Sequence, residues 1–305
     1  MLINYAVKLC LVLLTLNAVN VKAADFDNLI VFGDSLSDNG NVASITAYDF
    51  LNHAPYQQGF SNGQLAVERL AKLLDLSLKP SLFFTGQITG TNFAFGSAKA
   101  GGYSFIDLSG QVDAYLQSQA GQAPAGNLYL VFIGGNDLRA MRDSTDATTS
   151  NQLSENALSS FDTNLRKLIT AGAREILIIS PPDISRLPET QALAENNPEL
   201  LKISAQLSKD FNHRLKQLVR RIERETHIDL VLFDLPAFFN TILNNSTALG
   251  FTDKNHGCYD YTLQTFITGC TAGLINQHIF LDQIHPSAPV HTRLARAIYA
   301  FIPAH

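Results

Sequence analysis

From Asp25 onward, short runs that are apolar at nearly every position alternate with longer segments whose apolar residues recur every three to four positions. The first kind reads as strands buried on both faces, the second as helices lying against them. The strand candidates are Leu29 to Phe32, Thr91 to Phe95, Leu128 to Ile133, Glu175 to Ser180 and Asp229 to Phe233. Their alternation with helices predicts an α/β fold with a central parallel sheet covered on both faces, rather than an antiparallel sandwich.

The helices have clear ends. Leu153, Ala157, Phe161, Leu165 and Leu168 form one stripe that Gly172 stops. A longer helix takes Asn197 as N-cap and Pro198 as its first residue, with Leu200, Ile203, Leu207, Phe211, Leu215, Leu218 and Ile222 along one face. The opposite face, with Lys209, Arg214, Arg220 and Arg221, reads as solvated surface. A last helix from about Ser287 to Phe301 turns Val290, Leu294 and Ile298 inward. No repeat or low-complexity linker interrupts the chain, so residues 24–305 read as one domain. The stretch from Pro236 to Gln283 is the least regular; a long loop in a compact domain is functional or disordered, and a covalent staple inside it argues for the first.

Composition narrows the partners. The chain is 46% hydrophobic and 16% charged with a net charge of -5, so it has no basic excess to attract nucleic acid. Lys8 precedes the apolar run Leu9 to Leu16, and small residues at Val21 and Ala23 come before a polar start, which is the pattern of a secretory signal peptide over residues 1–23. An ordinary first helix is the alternative, without the amphipathic period such a helix needs. No later run is long enough to cross a membrane as a helix. The mature protein is expected to be exported, to the medium in preference to the periplasm. Cys10 leaves with the leader, and Cys258 and Cys270 remain as a pair in an oxidising compartment. A disulfide there contributes roughly 3 kcal/mol in the chain-entropy model. Zinc, with His256 and His278 flanking the pair, is the rival, but the spacing matches no usual ligand pattern.

In an open parallel sheet, chemistry sits beyond the carboxyl ends of the strands. Ser35 in "VFGDSLSDNG" follows the first strand candidate, Ser97 in "NFAFGSA" the second, and Asn136 in "FIGGNDL" the third. A serine hydroxyl attacks only when a base takes its proton and a further group orients that base. Asp282 and His285 in "LDQIHPSAP" supply both, three residues apart. The Ser35 and Ser97 backbone N–H groups and the Asn136 amide are candidate donors to the oxygen that becomes negative. Taken one at a time, Ser35 and Asp34 also read as helix caps, Gly134 to Asn136 as a tight turn, and Asp282 with His285 as a surface pair. The joint pattern favours nucleophilic catalysis.

Together, "VFGDSLSDNGN", "APYQQGFSNG", "NFAFGSA", "GGND" and "DQIHP" resemble the blocks of the SGNH, or GDSL, hydrolase family of lipases and esterases, in the family's order. The exported, disulfide-looped layout is similar to bacterial secreted lysophospholipase A and glycerophospholipid:cholesterol acyltransferase-type enzymes such as those of Legionella. The resemblance implies a three-layer α/β/α flavodoxin-like fold. It also implies Ser35 as nucleophile, His285 as base, Asp282 as the acid that orients it, and Asn136 as oxyanion-hole asparagine. The family glycine of the second block falls on Ser97, with Gly96 as the alternative. Asp34, Asp38 and Asn41 read as scaffolding of the first block, and His53, His213, His227, His278 and His291 have no motif around them.

The function expected is release of fatty acids from lysophospholipids at micelle or membrane surfaces, without metal or organic cofactor, and with acyl transfer as a side activity. Phe50, Leu51, Phe60, Phe83, Phe84, Phe238 and Phe239 are candidates for an acyl groove or for core. Three rivals stand beside it: a short-chain or carbohydrate O-acetyl esterase on the same fold, a metal hydrolase built on Asp282 and His285, and a binding protein on an inactivated scaffold. The Cys258 to Cys270 loop is a candidate lid or site for an activating protease, or a plain staple.

Overall fold

Four apolar strands and the helices between them account for the sheet that carries the site. The computed structural model describes residues 26–303, and the expected leader lies outside them. In chain order the first elements are β1 (Leu29–Gly33), α1 (Ala66–Leu73), α2 (Leu108–Ser118), β2 (Leu128–Phe132), α3 (Gly135–Arg142) and α4 (Ala147–Ala171). Then follow β3 (Glu175–Ile179), α5 (Pro188–Ala194), α6 (Glu199–Thr226), β4 (Leu230–Phe233) and α7 (Leu235–Asn244). The chain closes with β5 (Asp253–Gly257), β6 (Tyr259–Asp260), β7 (Thr265–Phe266), β8 (His278–Phe280) and α8 (Ala288–Phe301).

The main sheet runs β1-β2-β3-β4, all parallel, with Leu29 beside Leu128 and Leu128 beside Glu175. Successive residues of a strand point to opposite faces. Ile30, Tyr129, Val131, Ile176 and Ile178 pack with residues of α2, α4 and α6, such as Val112, Phe161 and Phe211. Leu29, Val31, Leu130, Leu177 and Ile179 pack with α1 and α8 through Leu70, Leu294 and Ile298. These are the three layers expected, and both faces of every strand are needed to build them.

Several elements differ from the sequence reading. Thr91 to Phe95 is not a regular strand, although Val31 N–H donates to Thr91 O, Phe93 N–H to Val31 O and Phe95 N–H to Gly33 O. The rung that would continue the ladder is missing because the Gly33 N–H donates to Gln111 Oε1 at 2.8 Å, so the segment lies along β1 as an irregular edge. In α6, Pro198 rather than Asn197 precedes the first helical residue, with no side-chain cap. The early stripe is also shifted: Ile203 is exposed, while Ser204 and Ser208 are buried. The Ser208 hydroxyl donates to Ser204 O and accepts the Ile184 N–H, which makes a small polar residue sufficient there.

The irregular stretch after β4 begins with a helix. The Asp234 carboxylate accepts the Ala237 N–H and Pro236 occupies the first turn of α7, an ordinary start signal. Beyond it, β5 pairs in parallel with β8, and β6 and β7 form a hairpin whose base is closed by the Cys258–Cys270 disulfide. No helix among the described residues is long and apolar enough to cross a membrane.

Candidate active site

The strand β1 ends at Gly33, where a side chain has no space: a Cβ would lie 2.7 Å from Phe132 O. The backbone turns at once, with the Ser37 and Asp38 N–H groups on Asp34 O, and the Asp34 carboxylate accepts the Leu36 N–H at 3.0 Å. That turn presents the Ser35 hydroxyl to His285, whose Nε2 lies 2.8 Å from Oγ. On its other side the His285 Nδ1 lies 2.9 and 3.0 Å from the two Asp282 carboxylate oxygens. The three side chains brought together are therefore the three that the sequence motifs point to, and all are buried.

Asp282 is held by more than its histidine. Its Oδ1 accepts the Ile284 and His285 N–H groups, and its Oδ2 accepts the Tyr56 hydroxyl at 2.8 Å. Burial raises its carboxyl pKa, but the His285 charge and these bonds outweigh burial and hold it below the usual range. The Phe60 ring lies over the His285 ring at 4.8 Å between centroids. Nothing in the sequence assigns Tyr56 or Phe60 such a role; only the position of "APYQQGFSNG" between the first blocks points toward the site.

Three donors converge beside Ser35. Among the described residues, the Ser35 and Ser97 backbone N–H groups have no hydrogen-bond partner. The Gly96 N–H is committed to Asp38 Oδ2 at 2.9 Å, so Ser97 and not Gly96 offers the free group. Ser97 has φ 68°, the left-handed conformation that glycine adopts at least cost, which accounts for a glycine being the family residue there. The Asn136 amide, in the first turn of α3, donates one Nδ2 hydrogen to Ala98 O and keeps the other.

The surrounding aspartates are scaffolding. Asp38 accepts four backbone N–H groups, from Gly40, Asn41, Val42 and Gly96; burial outweighs them and its pKa stands raised to about 6. Asp137 ties α3 to the loop after Ser97 by accepting the Ala100 and Gly101 N–H groups. Asp34 is pushed up to about 7, by burial first, with its bond to Leu36 and the His285 charge opposing. His291, which no motif surrounds, is buried in α8 with Nδ1 accepting the Ala66 N–H; burial lowers its pKa to about 3, so it is neutral.

Two cavities meet at Ser35. One is mostly apolar, walled by Phe132, Leu235, Phe239, Phe280 and Leu294, with Ser35, Asn136 and Arg139 also in its lining. The other is lined by Phe50, Tyr56, Phe60, Ser97, Tyr261 and His285. Of the acyl-groove candidates, Phe50, Phe60 and Phe239 thus line cavities, whereas Leu51 and Phe83 belong to the core and Phe84 and Phe238 pack against it. The Cys258, Cys270 and His278 donor atoms cluster, but the two sulfurs are bonded to one another and neither is a thiolate available to a metal.

Residues 29–298 match the family model described as GDSL-like lipase/acylhydrolase. The chain is 25% identical over 295 residues to a thermolabile hemolysin of Vibrio parahaemolyticus, covering 92% of this chain but only 64% of the hemolysin. It is 24% identical over 338 residues to a phosphatidylcholine-sterol acyltransferase of Aeromonas hydrophila, covering 95% of each. Among solved structures, an acetylxylan esterase from Geobacillus stearothermophilus superposes with a TM-score of 0.50 at 16% identity, over 93% of this chain and 97% of that one, a likeness of fold.

Proposed function

Since this chain belongs to the GDSL-like lipase/acylhydrolase family and is a carboxylic ester hydrolase, we propose that it releases fatty acids from lysophospholipids through an acyl-enzyme on Ser35. The observation that carries the proposal is the apolar wall of the cavity that Ser35 lines, formed by Phe132, Leu235, Phe239, Phe280 and Leu294, a surface suited to the first carbons of an acyl chain. Relatives whose names speak of phosphatidylcholine acyl transfer and of hemolysis agree with a lipid substrate.

In this mechanism the Ser35 Oγ attacks the ester carbonyl carbon while His285 Nε2 takes the hydroxyl proton. Asp282 fixes the imidazole with Nδ1–H toward itself and stabilises the imidazolium that forms. The carbonyl oxygen becomes an oxyanion held by the Ser35 N–H, the Ser97 N–H and the free Asn136 Nδ2 hydrogen. When the C–O bond breaks, His285 returns the proton to the departing alkoxide, leaving the acyl group on Ser35. Water repeats the sequence in the second half: it gives a proton to His285 as its oxygen bonds the acyl carbon, and His285 returns that proton to Ser35 Oγ as the acyl C–O bond breaks and the fatty acid leaves. An alcohol in place of that water gives acyl transfer. The intact Ser35, His285 and Asp282 chain argues against an inactivated binding protein, and it needs no metal on Asp282 and His285.

Residues 24–305 act as one domain in this proposal, exported behind a leader and released to the medium. Contact with lipid surfaces is supported by the hairpin between β6 and β7, where Leu263 is 72% exposed and Tyr261 borders the catalytic cavity. The same exposed tip is where a protease would cut, the disulfide keeping both pieces attached; equal turnover of long-chain substrate by intact and nicked enzyme would refute such activation. A short-chain or carbohydrate O-acetyl esterase is the second reading, favoured by the narrowness of the apolar cavity, about 50 Å³, room for roughly three to five water-sized groups.

The deciding experiment measures fatty-acid release from lysophosphatidylcholine, diacyl phospholipid and an acetyl ester, beside Ser35→Ala. Lysophospholipid turnover that dominates and vanishes in the variant supports the proposal. Preference for the acetyl ester selects the second reading, and a variant as active as the wild type removes Ser35 from the mechanism.

A further inference from the structure

The reading of Asn136 as an oxyanion donor leaves open what aims its amide. Asn136 and Arg139 are three apart on α3, so their side chains share a face. The Arg139 Nη1 donates to Asn136 Oδ1 at 3.2 Å. A guanidinium only donates and a carbonyl only accepts, so the bonds to Arg139 and to Ala98 O fix which end of the amide is nitrogen. The second Nδ2 hydrogen is then the one group of the amide left for a substrate oxygen.

Arg139 is itself held firmly. Its Nε donates to Glu189 Oε2 at 2.8 Å and its Nη2 to Glu189 Oε1, a two-pronged pair in partly buried surroundings. Glu189 also accepts the buried Arg142 at 2.9 Å, and its backbone N–H donates to Gln283 O at 2.9 Å, one residue past Asp282. A continuous run of hydrogen bonds therefore joins the oxyanion donor on α3 to the segment that carries Asp282 and His285.

We propose that Arg139 is a positioning residue that locks the Asn136 amide in the orientation that donates to the oxyanion, anchored through Glu189 to the Asp282–His285 segment. This rests on the assignment of Asn136 made above. Losing Arg139 leaves Asn136 with a single anchor at Ala98 and free to rotate, while Glu189 keeps Arg142 as its partner and the fold keeps its pair.

The test is a double-variant cycle on a water-soluble short-chain ester, with thermal unfolding as a check on folding. Arg139→Met is expected to lower kcat about tenfold, the loss of one charge-assisted hydrogen bond, and to leave KM within about twofold. Arg139→Lys, which keeps a donor but not the two-pronged anchor, is expected to recover part of the loss. Asn136→Ala is expected to lose roughly 100- to 1000-fold. In the Asn136→Ala background, Arg139→Met is expected to add nothing. An equal Arg139→Met loss in both backgrounds, or no loss in either, overturns the proposal. Should Arg139→Met not fold, Arg139→Lys takes its place in the same two backgrounds: a loss confined to the wild-type background supports the proposal, and an equal loss in both, or none, overturns it. Full turnover by Asn136→Ala instead overturns the oxyanion assignment on which the proposal stands.

Discussion

Gly257 has no room for a methyl group, and what fills the space is the backbone of Asp282. A Cβ on Gly257 would stand 2.5 Å from both the Asp282 carbonyl carbon and its oxygen, where ordinary contact starts at 3.4 Å. A flexible side chain would rotate away, but a backbone cannot, so Gly257→Ala must separate the two segments by about 0.9 Å. The displacement has nowhere else to go. The Cys258 and Tyr259 N–H groups both donate to Leu281 O, at 2.9 and 2.8 Å, and fasten the end of β5 to the residue before Asp282. A misplacement of that size at a catalytic group costs on the order of 100-fold in rate. The expected result is a kcat on a water-soluble ester reduced about 10- to 100-fold, with the fraction of Ser35 labelled by a fluorophosphonate falling in parallel. Gly273→Ala is the control, since its Cβ would meet nothing closer than 3.9 Å. If Gly257→Ala turns over like the wild type and melts at the same temperature, the clearance does not constrain Asp282 and this reasoning fails.

Two further outcomes follow from local conformation and charge. Ser97→Gly should keep its turnover within about threefold, because the backbone N–H survives, and gain up to roughly 1 kcal/mol in stability from relief of the left-handed conformation; a loss beyond about tenfold in kcat would mean that the hydroxyl takes part. Asp34 has its pKa raised to about 7 by burial, so the folded chain binds a proton there more tightly than the unfolded one, whose ordinary value is 3.8. Its contribution to stability is full below the unfolded value and is lost as pH rises through about 7. Asp34→Asn should therefore gain in melting temperature relative to wild type between pH 5 and roughly 8; a difference that stays flat across that range would refute the shift.

The parts of this molecule legible in its sequence are those with a local signature. Runs of apolar residues announce strands buried on both faces, and Gly172 and Ser287 mark helix ends where the structure has them. The catalytic candidates are legible because each sits at a strand end or in a short block of fixed spacing. What is not legible depends on partners far along the chain. Tyr56 and Asp282 are 226 residues apart, and nothing near Tyr56 announces an aspartate. Arg139 reads as one more charge on a helix until Glu189, 50 residues on, gives it a direction. Ile203 looks like core because its spacing is right, yet Ser204 and Ser208 take the buried positions, the Ser208 hydroxyl bonding to Ser204 O and Ile184 N–H. The Thr91 to Phe95 stretch has strand composition, but the Gly33 N–H that would extend its pairing goes to Gln111, 78 residues away.

The Ser35 to His285 hydrogen bond spans 250 positions of a 305-residue chain. During synthesis at roughly 5 to 20 residues per second, Ser35, the proposed nucleophile, therefore exists for about 12 to 50 seconds before His285 has been made. In the proposed mechanism a nascent chain is thus chemically silent toward esters, whatever part of the sheet has already formed. Contacts of such sequence separation also form late in folding, since loop closure must come first. In the proposed mechanism, competence to cut esters is then among the last properties the chain acquires, because a chain stopped before Asp282 lacks both the base and α8, whose Leu294 and Ile298 cover one face of the sheet.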